Sequence, residues 1–163
     1  MKQTATLLIQ TVYKELSKGR VDNFTIVELA KCAGVNRGTI YYNFETIENI
    51  YQEVFEKIIL KEITTNSNSF EDLIKHFIEY VNNNKIFCLN LYYQTAFTLR
   101  HANVIDLLND LLVKYTDEQE AIVKTELITG YIGIIEGWFN TELLIDSYII
   151  QKQLLKYHVG TSE

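Results

Sequence analysis

No proline occurs anywhere in the 163 residues, so nothing in the chain forces a helix to kink or stop. Glycine is scarce as well, at seven residues, and low-complexity linker segments are missing. The two cysteines, Cys32 and Cys88, are too few for a secreted disulfide framework or for the usual zinc sites. No apolar run reaches the roughly 18 residues of a membrane-spanning helix. Met1-Lys2-Gln3 leads into an amphipathic pattern rather than a signal peptide's apolar segment. The expectation is a soluble, cytoplasmic chain with no membrane partner. With 47% hydrophobic and 22% charged residues the chain can bury a core, and an all-α fold is the simplest reading.

Phe24 to Phe44 carries the most information. Thr25 followed three residues later by Glu28 forms a capping box, and Ile26, Leu29 and Ala30 fall on one face of the helix it starts. Gly34 can close that helix in the left-handed conformation. Asn36 is a good N-cap for a second short helix bearing Arg37, Gly38, Thr39, Ile40, Tyr41, Tyr42 and Asn43. Two short helices joined by a glycine turn form a helix-turn-helix. Ile40, with Val35 and Phe44, anchors the second helix, leaving Arg37, Thr39, Tyr41, Tyr42 and Asn43 on the outside. Arginine can fork onto guanine, hydroxyl and amide groups can hold phosphates, and Gly38 permits close backbone approach. The plain alternative is a helical hairpin with a solvated polar face. Two adjacent exposed tyrosines favour the DNA-facing reading over it.

The net charge of −6 is unevenly divided. Residues 1–44 hold six Lys and Arg against three acids, a balance of +3, which leaves −9 on the remainder. A locally basic head is enough for docking on phosphates, whatever the total.

The segment resembles the DNA-binding domain of the TetR family of bacterial transcriptional regulators. Thr25, Ala30, Ala33-Gly34-Val35, Gly38-Thr39-Ile40-Tyr41 and Phe44 carry the resemblance, which covers the first third of the chain. It implies base contacts from Arg37, Gly38 and Tyr41, and phosphate or sugar contacts from Thr25, Asn36, Thr39, Tyr42 and Asn43. Two positions depart from the family pattern: Asn43 stands where His is frequent, and Ile47 where a phosphate-binding Lys is common.

Around this motif the periodicity predicts a first helix over residues 2–18 with Leu7, Leu8, Val12 and Leu16 on one face. The domain division is a DNA-binding head over 1–44 and a helical regulatory and dimerisation body over 45–163, with 45–63 as connecting helix. Asn66-Ser67-Asn68-Ser69 is a polar break. Further helices are predicted over 70–81, 86–99 (apolar all round and so buried), 104–115, 117–139 and 147–157.

Gly130, Gly133 and Gly137 share one face of a predicted helix, where each costs about 1 kcal/mol relative to alanine. Close approach of another helix accounts for them, from within the chain or from a second copy. By resemblance the last two helices form a dimer interface, with Gly130, Gly133, Ile134, Gly137, Trp138 and Ile149 in that role. Tyr92, Tyr93, Phe97, Arg100 and His101 could line an effector pocket or an ordinary aromatic core. Cys32 and Cys88 both read as small buried hydrophobes.

No catalytic constellation is present. His76, His101 and His158 each lack a Glu three residues before them, so no di-iron pair arises. Gly34 to Thr39 lacks the spacing and the Lys of a phosphate loop. The expectation is no enzyme, no cofactor and no metal. By the resemblance, the chain is expected to be a homodimeric repressor that binds double-stranded palindromic DNA and is released by a small-molecule effector of unidentified chemistry. The other reading is a dimeric helical interaction module without strong DNA affinity of its own.

Overall fold

The computed structural model describes residues 3–95, 109–115 and 124–162, and every regular element among them is helical. In order these are α1 (Gln3–Ser17), α2 (Ile26–Ala33), α3 (Arg37–Asn43), α4 (Ile47–Val54), a π-helical segment (Phe55–Leu60), α5 (Lys61–Thr65), α6 (Phe70–Asn83), α7 (Lys85–Thr95), α8 (Lys124–Asn140) and α9 (Ser147–Ser162). Residues 109–113 are also helical. The chain divides into two compact units, Met1–Glu62 with Asn84–Ala96, and Ile63–Asn83 with Phe97–Glu163. The first unit thus takes in α4, the π segment and α7 beside residues 1–44.

In the first unit α1 is the hub, packing on α2, α3, α4 and α7. Its buried stripe is Ala5, Leu8, Ile9, Val12 and Leu16. Leu7, expected on that stripe, is 45% exposed. It sits one residue, about 100° of helix rotation, away from Leu8 and on the far side from Ile9 and Val12. Leu29, Ile40, Ile50 and Val54 complete the core, each fully buried. Tyr13 meets Phe87 edge-on with ring centroids 4.8 Å apart, joining α1 to α7.

The connecting helix starts at the expected place, where Thr46 and Asn49 form reciprocal cap bonds. Its π segment has a readable cause. Ile50, Tyr51 and Val54 are buried, but the next buried residues are Ile59 and Leu60, five and six positions on. Bonds of the i→i+5 kind take one more residue into the turn and absorb that extra spacing.

Helix α7 departs from the expectation of all-round burial. Phe87, Cys88, Leu91 and Tyr92 are buried, whereas Ile86 and Tyr93 are exposed. Its buried Asn90 turns toward the loop between α1 and α2. The Val21 N–H donates to Asn90 Oδ1 at 3.0 Å, and Asn90 Nδ2 donates to the carbonyls of Leu16 (2.8 Å) and Gly19 (2.7 Å).

In the second unit α9 packs on α6 and α8. The Tyr131 ring lies against both Phe70 and Tyr157, with centroids 5.3 Å away in each case. The polar break before α6 is a cap: Ser69 Oγ accepts from the Asp72 N–H at 3.1 Å, and the Asn68 N–H donates to the Asp72 carboxylate. Between α8 and α9, Glu142 (φ 55°) and Leu143 (φ 62°) are both left-handed.

The two thiols differ. Cys88 is buried, and burial pushes its thiol up to about 12 from an ordinary value of 9.0. Cys32, expected to be buried, is exposed, because the inward face of α2 is spent on Leu29 and Ala30. A native-state thiol assay at pH 8 should therefore modify Cys32 quickly and Cys88 only on unfolding. The folded Cys88 thiol resists ionisation, so its stabilising contribution is complete below pH 9 and is lost as pH rises toward 12. Over that range wild-type stability should fall by up to about 1.4 kcal/mol per pH unit more steeply than that of Cys88→Ala, measured by urea unfolding.

Candidate nucleic-acid interface

The α2–turn–α3 element is built by local hydrogen bonds at every junction. Glu28 N–H donates to Thr25 Oγ1 at 3.3 Å, and Thr25 N–H donates back to Glu28 Oε2 at 3.0 Å. Gly34 closes α2 with φ 70°, and Val35 N–H reaches the Ala30 carbonyl at 3.0 Å. Asn36 then starts α3, its Oδ1 accepting from Thr39 N–H at 2.8 Å and Thr39 Oγ1 at 3.1 Å. At the far end Asn43 Nδ2 donates to the Thr39 carbonyl, and Phe44 N–H closes the helix on Ile40 O.

Ile40 is the buried side chain of α3. Four of its neighbours face outward: Arg37, Gly38, Tyr41 and Tyr42 are exposed, with Tyr42 reaching 77%. Thr25, Thr39 and Asn43 are half-buried, and Asn36 is exposed. The proposed contact residues therefore separate into two sets. Arg37, Gly38, Tyr41 and Tyr42 present their outer surfaces, while Thr25, Asn36, Thr39 and Asn43 already hold the backbone of the motif. A Cβ on Gly38 would stand 3.2 Å from Asn36 Oδ1, crowding the cap that starts the helix.

Part of the charge on this unit is spent in ion pairs. Lys18 pairs with Glu15 at 2.7 Å and Arg20 with Asp22 at 3.2 Å, both at the surface. Lys14, Lys31 and Arg37 are exposed and form no ion pair among the described residues. The nearest acid to α3 in sequence on the α2 side, Glu28, is engaged in its own cap. A short helix with one apolar anchor and an outer face of arginine and tyrosines, on a unit that also carries exposed lysines, can lie in a DNA groove.

A family model described as bacterial regulatory proteins of the tetR family matches residues 13–54. Residues 13–54 are thus similar to the DNA-binding head of that family. No curated protein matches the chain. The match spans the last third of α1 through α4, so it includes the start of the connecting helix. The chain is a DNA-binding transcriptional regulator of the tetR type.

Outside the head the other expected site residues lie as follows. Tyr92 is buried and Tyr93 partly exposed, their rings tilted with centroids 6.1 Å apart. Phe97, Arg100 and His101 lie outside the described residues. Gly130 packs inside the chain: a Cβ there would overlap the Tyr157 ring, within about 2.0 Å of its hydroxyl. Gly133 and Gly137 are exposed, and among the described residues nothing would lie within 4 Å of a Cβ at either. Ile134 is half-buried, Ile149 is 49% exposed, and Trp138 is buried with Nε1 donating to Ile145 O at 2.9 Å. Among the described residues no cluster of three His, Cys, Asp or Glu side chains could hold a metal ion, and no helix is long and apolar enough to cross a membrane.

Sequence reasoning passed over Asn90, Gln94 and Tyr51, which all reach the backbone of the α1–α2 loop. Tyr51 Oη donates to Phe24 O at 2.7 Å, and burial raises its phenol above the usual range, with Glu48 and Glu28 adding to the effect. The available signal was two carboxamides four residues apart in an otherwise apolar stretch. Their partners, some 70 residues away, leave no local trace.

The two sets of α3 residues should respond differently to mutation. Ile40→Ala should cost about 2–5 kcal/mol of stability by cavity formation. Asn36→Ala should cost about 1 kcal/mol by uncapping α3. Tyr42→Ala should leave the urea midpoint almost unchanged, because the side chain is mostly solvated. Parallel urea titrations check the ordering.

Proposed function

We propose that the chain is a repressor that binds a palindromic operator as a homodimer, inserts α3 of each copy into a major groove, and is released by a small-molecule effector. The outward face of α3 carries this reading. Arg37 can fork onto a guanine edge, Tyr41 and Tyr42 can reach base edges and phosphates, and Gly38 lets backbone approach backbone. Lys14 and Lys31 add positive charge on the same unit, which supports phosphate neutralisation.

The dimer rests on the exposed glycines. Gly130 has an internal reason to be glycine, but Gly133 and Gly137, one turn apart, have none among the described residues. In a helix each costs about 1 kcal/mol relative to alanine, and close approach by a second copy offsets that cost. Leu144, Tyr148 and Ile149 are exposed at and before the start of α9 and would extend the same contact. A two-fold dimer matches two half-sites about one helical turn, or a multiple of it, apart. Effector release requires only that the ligand prefer the dimer geometry in which the two heads no longer fit those half-sites.

Selection from a random duplex pool tests the reading directly. Wild type should enrich a two-fold symmetric sequence, and its log affinity should fall linearly with log salt. Arg37→Ala should lose about 1–3 kcal/mol of affinity and relax preference at one position of each half-site. Gly137→Leu should stay folded but sediment as a monomer and lose tight operator binding. Enrichment of no sequence would overturn the DNA role and leave the helical interaction module in its place.

A further inference from the structure

The loop joining α1 to α2 has backbone groups that its own neighbours do not satisfy, and α7 supplies the missing partners. Asn90, only 2% exposed, places its carboxamide among three of them: it accepts from Val21 N–H and donates to Leu16 O and Gly19 O. One turn further along α7, Gln94 does the same for the rest of the loop. Phe24 N–H donates to Gln94 Oε1 at 3.1 Å, and Gln94 Nε2 donates to the carbonyls of Val21 (3.3 Å) and Asp22 (3.4 Å). Residues four apart on a helix lie one above the other, so the two amides form one ladder along the loop.

We infer that Asn90 and Gln94 are positioning residues for DNA reading, holding the loop from which α2 and then α3 are hung. The loop ends at Phe24, whose N–H is held by Gln94 and whose carbonyl accepts from Tyr51. The next residue, Thr25, is the cap that sets the start of α2. From there a tight Gly34 turn leads to α3. A displacement of the loop therefore shifts the origin of α2 and carries α3 with it. Apolar packing at these positions would hold the loop by contact alone and leave those backbone groups without these partners. Two carboxamides instead fix the loop by direction as well as by contact, since hydrogen bonds weaken steeply with misalignment. Neither side chain belongs to the outer face of α3, so their effect on DNA must pass through the loop.

The inference rests on the DNA-reading role of α3, and the experiment separates the two. A duplex selected from a random pool by the wild-type chain serves as probe. Failure to select any duplex overturns the DNA reading, and this role with it, before a variant is made. With the duplex in hand, Gln94→Met keeps side-chain length and apolar packing on a half-buried position but removes all three hydrogen bonds. Amide hydrogen exchange at Phe24 should quicken about tenfold in Gln94→Met without DNA present. Its affinity for the selected duplex should fall about five- to tenfold, while affinity for scrambled duplex and the salt slope stay at wild-type values, because no phosphate contact is lost. Asn90→Ala should follow the same pattern more strongly, and Gln94→Met carries the test if Asn90→Ala does not fold. Unchanged Phe24 exchange would show that the amides do not hold the loop. Faster exchange with unchanged discrimination between the duplexes would show that the hold is structural only. Either result overturns the inference.

Discussion

The burial of Ile40 is the contact on which the outward face of α3 depends. A seven-residue helix is far below the roughly 12–15 residues at which an isolated helix becomes even marginal in water, so α3 exists only because the rest of the head holds it. It has one buried side chain to be held by, and a cap at Asn36 that satisfies the first orphan donors. This economy is what leaves Arg37, Gly38, Tyr41 and Tyr42 facing outward. A helix with a wider apolar stripe would be more secure and would have less to show a groove. Short length, single anchor and exposed aromatics are therefore one design constraint seen from three sides.

The same constraint explains why the head reaches beyond residues 1–44 for support. A three-helix head buries little, and its longest loop carries backbone groups that water would otherwise satisfy. Tyr51 from α4, with Asn90 and Gln94 from α7, takes up seven hydrogen-bonding contacts along Leu16 to Phe24. Each contributes modestly, but leaving a buried partner unmet costs about 1–3 kcal/mol. The compact unit is accordingly Met1–Glu62 with Asn84–Ala96. Recognition surface and its support from α7 are thus separated in sequence by about a third of the chain.

What was legible in the sequence follows from the range of the interactions. Thr25 with Glu28, Gly34, and Asn36 act on residues within four or five positions, and the structure has each cap where the spacing indicates. The apolar stripe of α1 was legible to within Leu7, which one residue of phase puts on the wrong side. Cys32 was misread for a related reason: neighbours in sequence to buried Leu29 and Ala30 need not share their face. The π segment escaped because Ile50, Val54, Ile58 and Ile59 fit an unbroken helical spacing in the sequence, and only the burial of Ile59 and Leu60 shows the phase shift. Asn90 and Gln94 could be seen as polar residues in an apolar run, but not paired, since their partners come from α1 and its loop. The three glycines divide for the same cause: Gly130 faces Tyr157 of another helix, and nothing within α8 marks it apart from Gly133 and Gly137.

The turn between α8 and α9 shows where the second unit accepts strain. Two successive left-handed residues that are not glycine cost about 1–2 kcal/mol each, and Leu143 lacks even the polar side chain that eases this conformation. Trp138 provides the compensation. Its carbonyl accepts from Leu143 N–H at 3.1 Å and from Thr141 Oγ1 at 2.8 Å, and its indole N–H closes on Ile145 O beyond the turn. Leu143 itself is buried, so the unusual backbone drives an apolar side chain inward. The next residue, Leu144, is then 84% exposed, with Tyr148 and Ile149 exposed one turn on. A buried tryptophan tied at both ends thus fixes a turn that displays apolar side chains to solvent. Its own surface is spent within the chain, so any second copy at this face meets the side chains that Trp138 positions, beside the open glycines of α8.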